Sequence, residues 1–192
     1  NYHQPAMPEG AEEGIRKGIY KLESYEGKKA NVQLLSSGTI MTEVRKAAAI
    51  LSEEYGIASD VFSVTSFNEL TREGQDVERF NMLNPEGEQK TAFITSVLND
   101  SVTVAATDYM KNYAEQARSF IPSSNYKVLG TDGYGRSDSR ENLRRHFEVN
   151  ASYVVVATLS ELAKRGEVEK SVVVEALKKF NIDTNKLNPL YA

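Results

Sequence analysis

The sequence predicts an α/β domain built on a mostly parallel sheet. Three observations carry that prediction. Candidate strands of five to seven residues alternate along the chain with stretches whose apolar residues recur every three or four positions. Glycine, proline, serine and Asx residues punctuate the changeovers. No fixed-period repeat, low-complexity segment or interior linker divides the 192 residues. Strands alternating with helices are the signature of βαβ units, which put helices on both faces of a sheet.

Each element has its own grounds. Residues 1–14 hold Pro5, Pro8, Gly10 and Gly14 and read as an incoming arm, with the folded domain over 15–192. Residues 18–24, with Ile19, Tyr20 and Leu22, suggest a short strand, and 26–29 a turn. Residues 31–35 form a second strand that ends in Ser36-Ser37-Gly38-Thr39. Ile40, Val44, Ala47, Leu51 and Tyr55 then trace a helix face that Gly56 closes. A third strand over 60–65 runs into a charged, partly helical region through Asn84. A loop at 85–88 and a short helix within 89–99 follow.

Residues 102–106 form a fourth strand. Asp108 is placed to cap a helix whose face is Met110, Ala114, Ala117 and Ile121, and which Pro122 stops. Residues 126–130 form a fifth strand. The loop Thr131 to Ser137 leads to a helix over 139–147, where Asp138 and Glu141 have capping-box spacing. Tyr153-Val-Val-Val156 has strand propensity. Asn150 as a cap, Leu159, Leu162 and Ala163 as a face, and Gly166 as a stop favour a helix over 150–166. Val168, Val172, Ala176 and Phe180 mark a last helix.

Composition narrows the function. Hydrophobic residues make up 40% and charged residues 26%, which suits a globular core. The net charge of −4 argues against a nucleic-acid surface that depends on phosphate contact. There is no Cys, so disulfides, thiolate metal sites and Cys nucleophiles are excluded. His3 and His146 are the two histidines, too few for a multi-His metal site. The longest apolar runs are five residues, so no membrane span is expected against a need for about 20. The chain opens on Asn1 without an initiator Met or a signal-peptide pattern. The expectation is a piece of a longer, cytoplasmic polypeptide.

The chemistry-bearing candidates cluster late. Gly133-Tyr134-Gly135-Arg136-Ser137-Asp138 begins like a dinucleotide fingerprint but has Asp where the third Gly belongs, and it does not follow the first strand. Ser36 to Thr39 reads as a tight turn in preference to an anion cradle. Arg136, Arg140, Arg144 and Arg145 are four of the ten arginines. On a helix, the first three share a side at i, i+4 spacing. Such a row can hold a phosphate or carboxylate by bidentate bonds. Asp132, Asp138, Glu141 and Glu148 offset its charge, so ion pairing within or between subunits is the favoured reading. His146, beside the arginines, reads as structural because no nucleophile is placed for it to serve. His3 lies in the arm. No catalytic, cofactor-binding or metal residue is assigned.

Leu129-Gly-Thr-Asp-Gly-Tyr-Gly-Arg-Ser-Asp-Ser-Arg-Glu-Asn-Leu-Arg-Arg-His-Phe-Glu-Val149 closely resembles the C-terminal region of the homodimeric bacterial family of pyruvate dehydrogenase decarboxylating components. So do residues 7–22, 60–67, 108–111 and 178–183, and the resemblance covers essentially the whole chain. It implies a transketolase C-terminal-like domain, a three-layer α/β/α sandwich around a five-stranded mixed sheet whose first strand is antiparallel. It also implies a full enzyme that uses thiamine diphosphate and Mg. That enzyme would decarboxylate pyruvate on the path from glycolysis to acetyl-CoA and acetylate lipoyl groups of the dihydrolipoyl acetyltransferase component. The family's metal and diphosphate motif, Gly-Asp-Gly followed by a distant Asn-Asn, is absent, and Thr131-Asp132-Gly133 is the nearest match. No catalytic residue carries over. The implied role is to pack against the chain's own N-terminal and middle domains and extend a homodimer. Asp132, Gly133, Tyr134, Gly135, Arg136, Asp138, Arg140, Arg144 and His146 are the candidate interface or anion contacts. The alternative is a free-standing α/β module that takes an anionic ligand through the 131–145 loop.

Overall fold

The computed structural model describes residues 6–192. His3 and Pro5 therefore lie outside the described residues. Helix α1 (Glu12–Lys17) crosses the boundary expected between arm and domain. Glu12 and Glu13 sit at its amino end and Arg16 and Lys17 at its carboxyl end, which suits the helix dipole. Gly18, at φ 106°, ends it. Then come β1 (Ile19–Tyr25), β2 (Asn31–Ser36), α2 (Met41–Ile50), β3 (Ala58–Val64), α3 (Phe67–Leu83) and α4 (Phe93–Val97). These are followed by β4 (Val102–Ala106), α5 (Asn112–Glu115), β5 (Tyr126–Leu129), α6 (Arg140–His146), α7 (Ala151–Lys164) and α8 (Lys170–Lys179).

The five strands form one sheet in the order β1-β3-β2-β4-β5. β1 runs antiparallel to β3 with an irregularity between Lys21 and Glu23, and every other pairing is parallel. The sheet is mixed, as the resemblance implies. β2 and β4 are buried along nearly their whole length, as parallel strands covered on both faces must be.

Two cores flank the sheet. On one side Val32, Leu34, Val61 and Val104 meet α2 and α7, and Ala176 of α8 packs behind them. On the other side Leu35, Phe62, Val64, Ala105 and Val128 meet Phe67 and Leu70 of α3, Ile94 of α4 and Ala114 of α5. The side-chain carboxamide of Asn150 accepts from the Tyr153 amide and starts α7, so the β-branched run lies in a helix. Val154 and Val155 are fully buried there.

Two local expectations fail. The helix expected from Asp108 to Ile121 is only α5 and one 3-10 turn, Arg118–Phe120, and Met110 is exposed. Asp108 does not cap it. The Lys111 amide donates to Asp132 Oδ1 across 21 residues, and the Thr131 amide donates to the Tyr109 carbonyl. These cross-loop bonds hold 108–111 out of helical form. At α6 the cap is Ser139, whose hydroxyl accepts from the Asn142 amide. The Asp138 carboxylate is already committed to the Ser139 amide and the Asn142 side chain.

Candidate functional site

The candidate residues lie around the loop after β5 and along α6. Asp132 joins two loops, since it also pairs with the Lys111 ammonium at 3.3 Å. Gly133 sits at φ 102°, where a Cβ would meet the Pro189 carbonyl oxygen at 2.4 Å, so no other residue fits that approach. Gly135 has open space around it, and Tyr134 projects to solvent, 83% exposed. The loop is therefore anchored at its base by the C-terminal tail and open at its tip.

The arginines do not form one row. Helix α6 begins at Arg140, which leaves Arg136 on the loop. Arg144 turns inward, and its side chain is 12% exposed. One of its nitrogens donates to Glu43 Oε1 at 2.9 Å and another to the Thr39 carbonyl at 3.4 Å. Arg145 donates to the Asn181 carbonyl. Arg140 lines two shallow hollows beside Arg144. Arg136 stands at the rim of a third, about 470 Å³, with Asp138, Asn142 and His146. Hydrogen bonds from Asn142 first, and from the Ser139 amide second, hold the Asp138 carboxyl below its usual range.

Glu43 is the residue that spacing did not single out. It is buried on α2, and its two oxygens take Arg144 and the Ala151 amide, with Lys46 at 3.4 Å. One carboxylate thus ties α2, α6 and the first turn of α7. Its partner on α6 is 101 residues away, so no sequence periodicity could report it.

His146 packs edge-on against Phe147 with ring centres 4.8 Å apart. Its Nε2 is enclosed and has no hydrogen-bond partner among the described residues. Burial first, then the charges of Arg136 and Lys186, pull its pKa below the ordinary histidine value, while Glu148 opposes them. Lys186 reaches back from the tail to the carbonyl of His146 and to Glu148 at 3.1 Å, which closes the end of α6.

Thr131-Asp132-Gly133 does not suit thiamine diphosphate and its metal. Asp132 is taken by Lys111, and Gly133 is filled by Pro189. Among the described residues no group of three or more metal-ligating side chains occurs. No helix there is long and apolar enough to cross a membrane. The loop tip presents Tyr134 and Arg136 outward, while Asp132 and Arg144 are held behind it by Lys111 and Glu43.

Comparison with known proteins agrees with the fold. Residues 18–150 match the family described as the transketolase-like TK C-terminal domain. The chain is 65% identical over all 192 residues to the pyruvate dehydrogenase E1 component of Escherichia coli (strain K12), covering 22% of that protein, its C-terminal part. It is 61% identical over 191 residues to the same component of Haemophilus influenzae, over 98% of this chain and 22% of the relative. It thus spans about a fifth of these relatives' length. Among solved structures, transketolase from Leishmania mexicana superposes with a TM-score of 0.52 at 23% identity, over 80% of this chain and 19% of that one. Transketolase from Campylobacter jejuni gives 0.53 at 22% identity, over 76% and 19%. Sheet order, strand sense and the matched span together make the chain a member of the transketolase-like C-terminal domain family.

Proposed function

We propose that this chain is the C-terminal, non-catalytic domain of a longer cytoplasmic enzyme. That enzyme would use thiamine diphosphate and Mg to decarboxylate pyruvate and pass the acetyl unit to lipoyl groups of a dihydrolipoyl acetyltransferase. The observation that carries the reading is the 65% identity that runs the whole length of the chain against a pyruvate dehydrogenase E1 component. The cofactor-unsuited loop at 131–133 supports the assignment of catalysis to other parts of the polypeptide.

The domain's own work in this reading is packing. The exposed tip at Tyr134, Gly135 and Arg136 faces the chain's N-terminal or middle domains, or the second subunit of a homodimer. Asp132, Glu43 and Arg144 keep that tip and α6 in place from behind. The anion-module alternative loses support because Arg144 and Arg145 are spent on internal acceptors. One fold serves many activities, so relatives and site chemistry together support this reading.

Calorimetry tests the reading. The 192-residue chain titrated with thiamine diphosphate and magnesium should show no binding, whereas the longer polypeptide should bind. Micromolar binding by the chain alone, or none by the longer polypeptide, would overturn it.

A further inference from the structure

A crevice of about 340 Å³ opens across the carboxyl ends of β3, β2 and β4, with the first turn of α3 on one side. The chain leaves β2 toward α2 on one face and leaves β4 toward α5 on the other. In open α/β sheets a crevice of this origin, where successive connections change sides, is where ligands sit. Its size falls in the range of small-molecule sites, about 300–1,000 Å³.

The lining has a distinct chemistry. Val64 and Phe67 form a buried apolar floor. The Ser37 and Thr107 hydroxyls lie 2.8 Å apart, each from the residue that follows β2 or β4. One hydrogen bond uses one of their two protons, so the pair still has a proton to donate. Ser66 accepts from the Glu69 amide, and its own proton has no acceptor among the described residues. Tyr109 and Tyr113 stand as an aromatic wall, with ring centres 5.1 Å apart at 56°. Among the described residues, no Lys, Arg, His, Asp or Glu lines the crevice. An ionised ligand would lose its hydration there without a counter-charge, which is costly.

Hydroxyls that donate and accept around an aromatic wall suit a ring that carries hydroxyls on its edge and C–H bonds on its face. We propose that this crevice binds an uncharged polyhydroxylated ring, either a monosaccharide or the ribose of a nucleoside, with its face on Tyr109 and its hydroxyls toward Ser37, Ser66 and Thr107. The site does not depend on the packing role proposed above.

Backbone amide chemical shifts of the 192-residue chain provide the test, with methyl glucoside, adenosine and inorganic phosphate as separate probes at millimolar concentration. Methyl glucoside or adenosine should shift the Ser37, Ser66, Thr107 and Tyr109 amides saturably. Phosphate should leave them in place. Adenosine alone would identify a nucleoside, and a response to the glucoside would identify the sugar ring itself. Tyr109→Ala should weaken the responding probe about tenfold, the scale of one lost aromatic stack. Tyr134→Ala, outside the crevice, should leave it unchanged. Thr107→Val, a change of nearly equal volume, should weaken the probe as well and keeps the test open if Tyr109→Ala folds poorly. The proposal fails if neither organic probe gives localised shifts. It also fails if phosphate moves the same amides as strongly, or if both variants bind like the parent.

Discussion

Leu34 and Leu35 are neighbours on β2, both fully buried, and they serve opposite faces of the sheet. The Leu34 face is covered by α2 and α7 in one rank with α8 behind, and the buried positions of α7 recur in helical register from Ala151 to Leu162. The Leu35 face has one long helix, α3, the short helices α4 and α5, and the 3-10 turn Arg118–Phe120. There the ordering comes from individual bonds. Gln33, buried in β2, both donates to and accepts from the Asn99 backbone and also donates to Thr103. The Tyr126 hydroxyl donates to the Ala114 carbonyl at 2.9 Å. Burial, the largest influence on that phenol, raises its pKa, so it stays a donor. The Thr95 hydroxyl donates to the Phe120 carbonyl. One face is held by continuous apolar stripes and the other by point contacts around a smaller core.

That contrast can be broken by substitution. The largest effect is expected from truncating each core. Phe120→Ala should cost about 3–5 kcal/mol and Leu162→Ala about 2–5 kcal/mol, read from denaturant midpoints. Because the two sites lie on opposite faces, the double variant should be additive within about 0.5 kcal/mol. Strong coupling would mean that the faces are not separate units. Next comes Glu43→Ala at the rim of the helical face. It leaves Arg144 and the Ala151 amide without their carboxylate and should cost about 1–3 kcal/mol in the same measurement. A cost near zero would show that α6 is held by other contacts.

On the other face, Gly74→Ala sharpens the comparison. Alanine in a helix interior normally gains about 1 kcal/mol over glycine. Here the added Cβ would lie 2.7 Å from the Phe120 ring, and overpacking costs about 1–3 kcal/mol. Thermal melts should show a net loss, and a gain would mean that Phe120 moves freely. The smallest effect concerns pH. The folded state lowers the pKa of His146 below its usual 6.5, by burial first. The unfolded chain then holds that proton more tightly, so stability is present in full above about 6.5 and is lost as pH falls through the folded value. His146→Asn should flatten the stability profile on the acid side. An unchanged slope would remove His146 from the account.

Much of the helical face was legible in advance. Asn150 and Gly166 bracket α7 and outweigh the strand propensity of Tyr153 to Val156, because a satisfied cap and an apolar stripe favour helix over an isolated β-branched run. The Leu35 face was less legible. Met110 fits the periodicity of Ala114 and Ala117, yet it is exposed, because Asp132 and Thr131 claim the backbone of 109–111 from another loop. At the candidate site the i, i+4 arginine spacing needs a helix that includes Arg136, and α6 begins four residues later. The charged cluster was visible, but its partners were not.

The amino-acid sequence alone determined the alternation of elements, the Asn150 cap of α7 and the inward faces of α2 and α7. These follow from chain sterics and local hydrophobic period, which act over a few residues. Only the tertiary structure decided that Arg144 meets Glu43, that Gly133 lies under Pro189, and that Ser37 and Thr107 share a hydrogen bond at the mouth of a crevice. Those contacts join segments 56 to 101 residues apart. They exist because the sheet brings distant strand ends to one edge, and no spacing along the chain records that meeting.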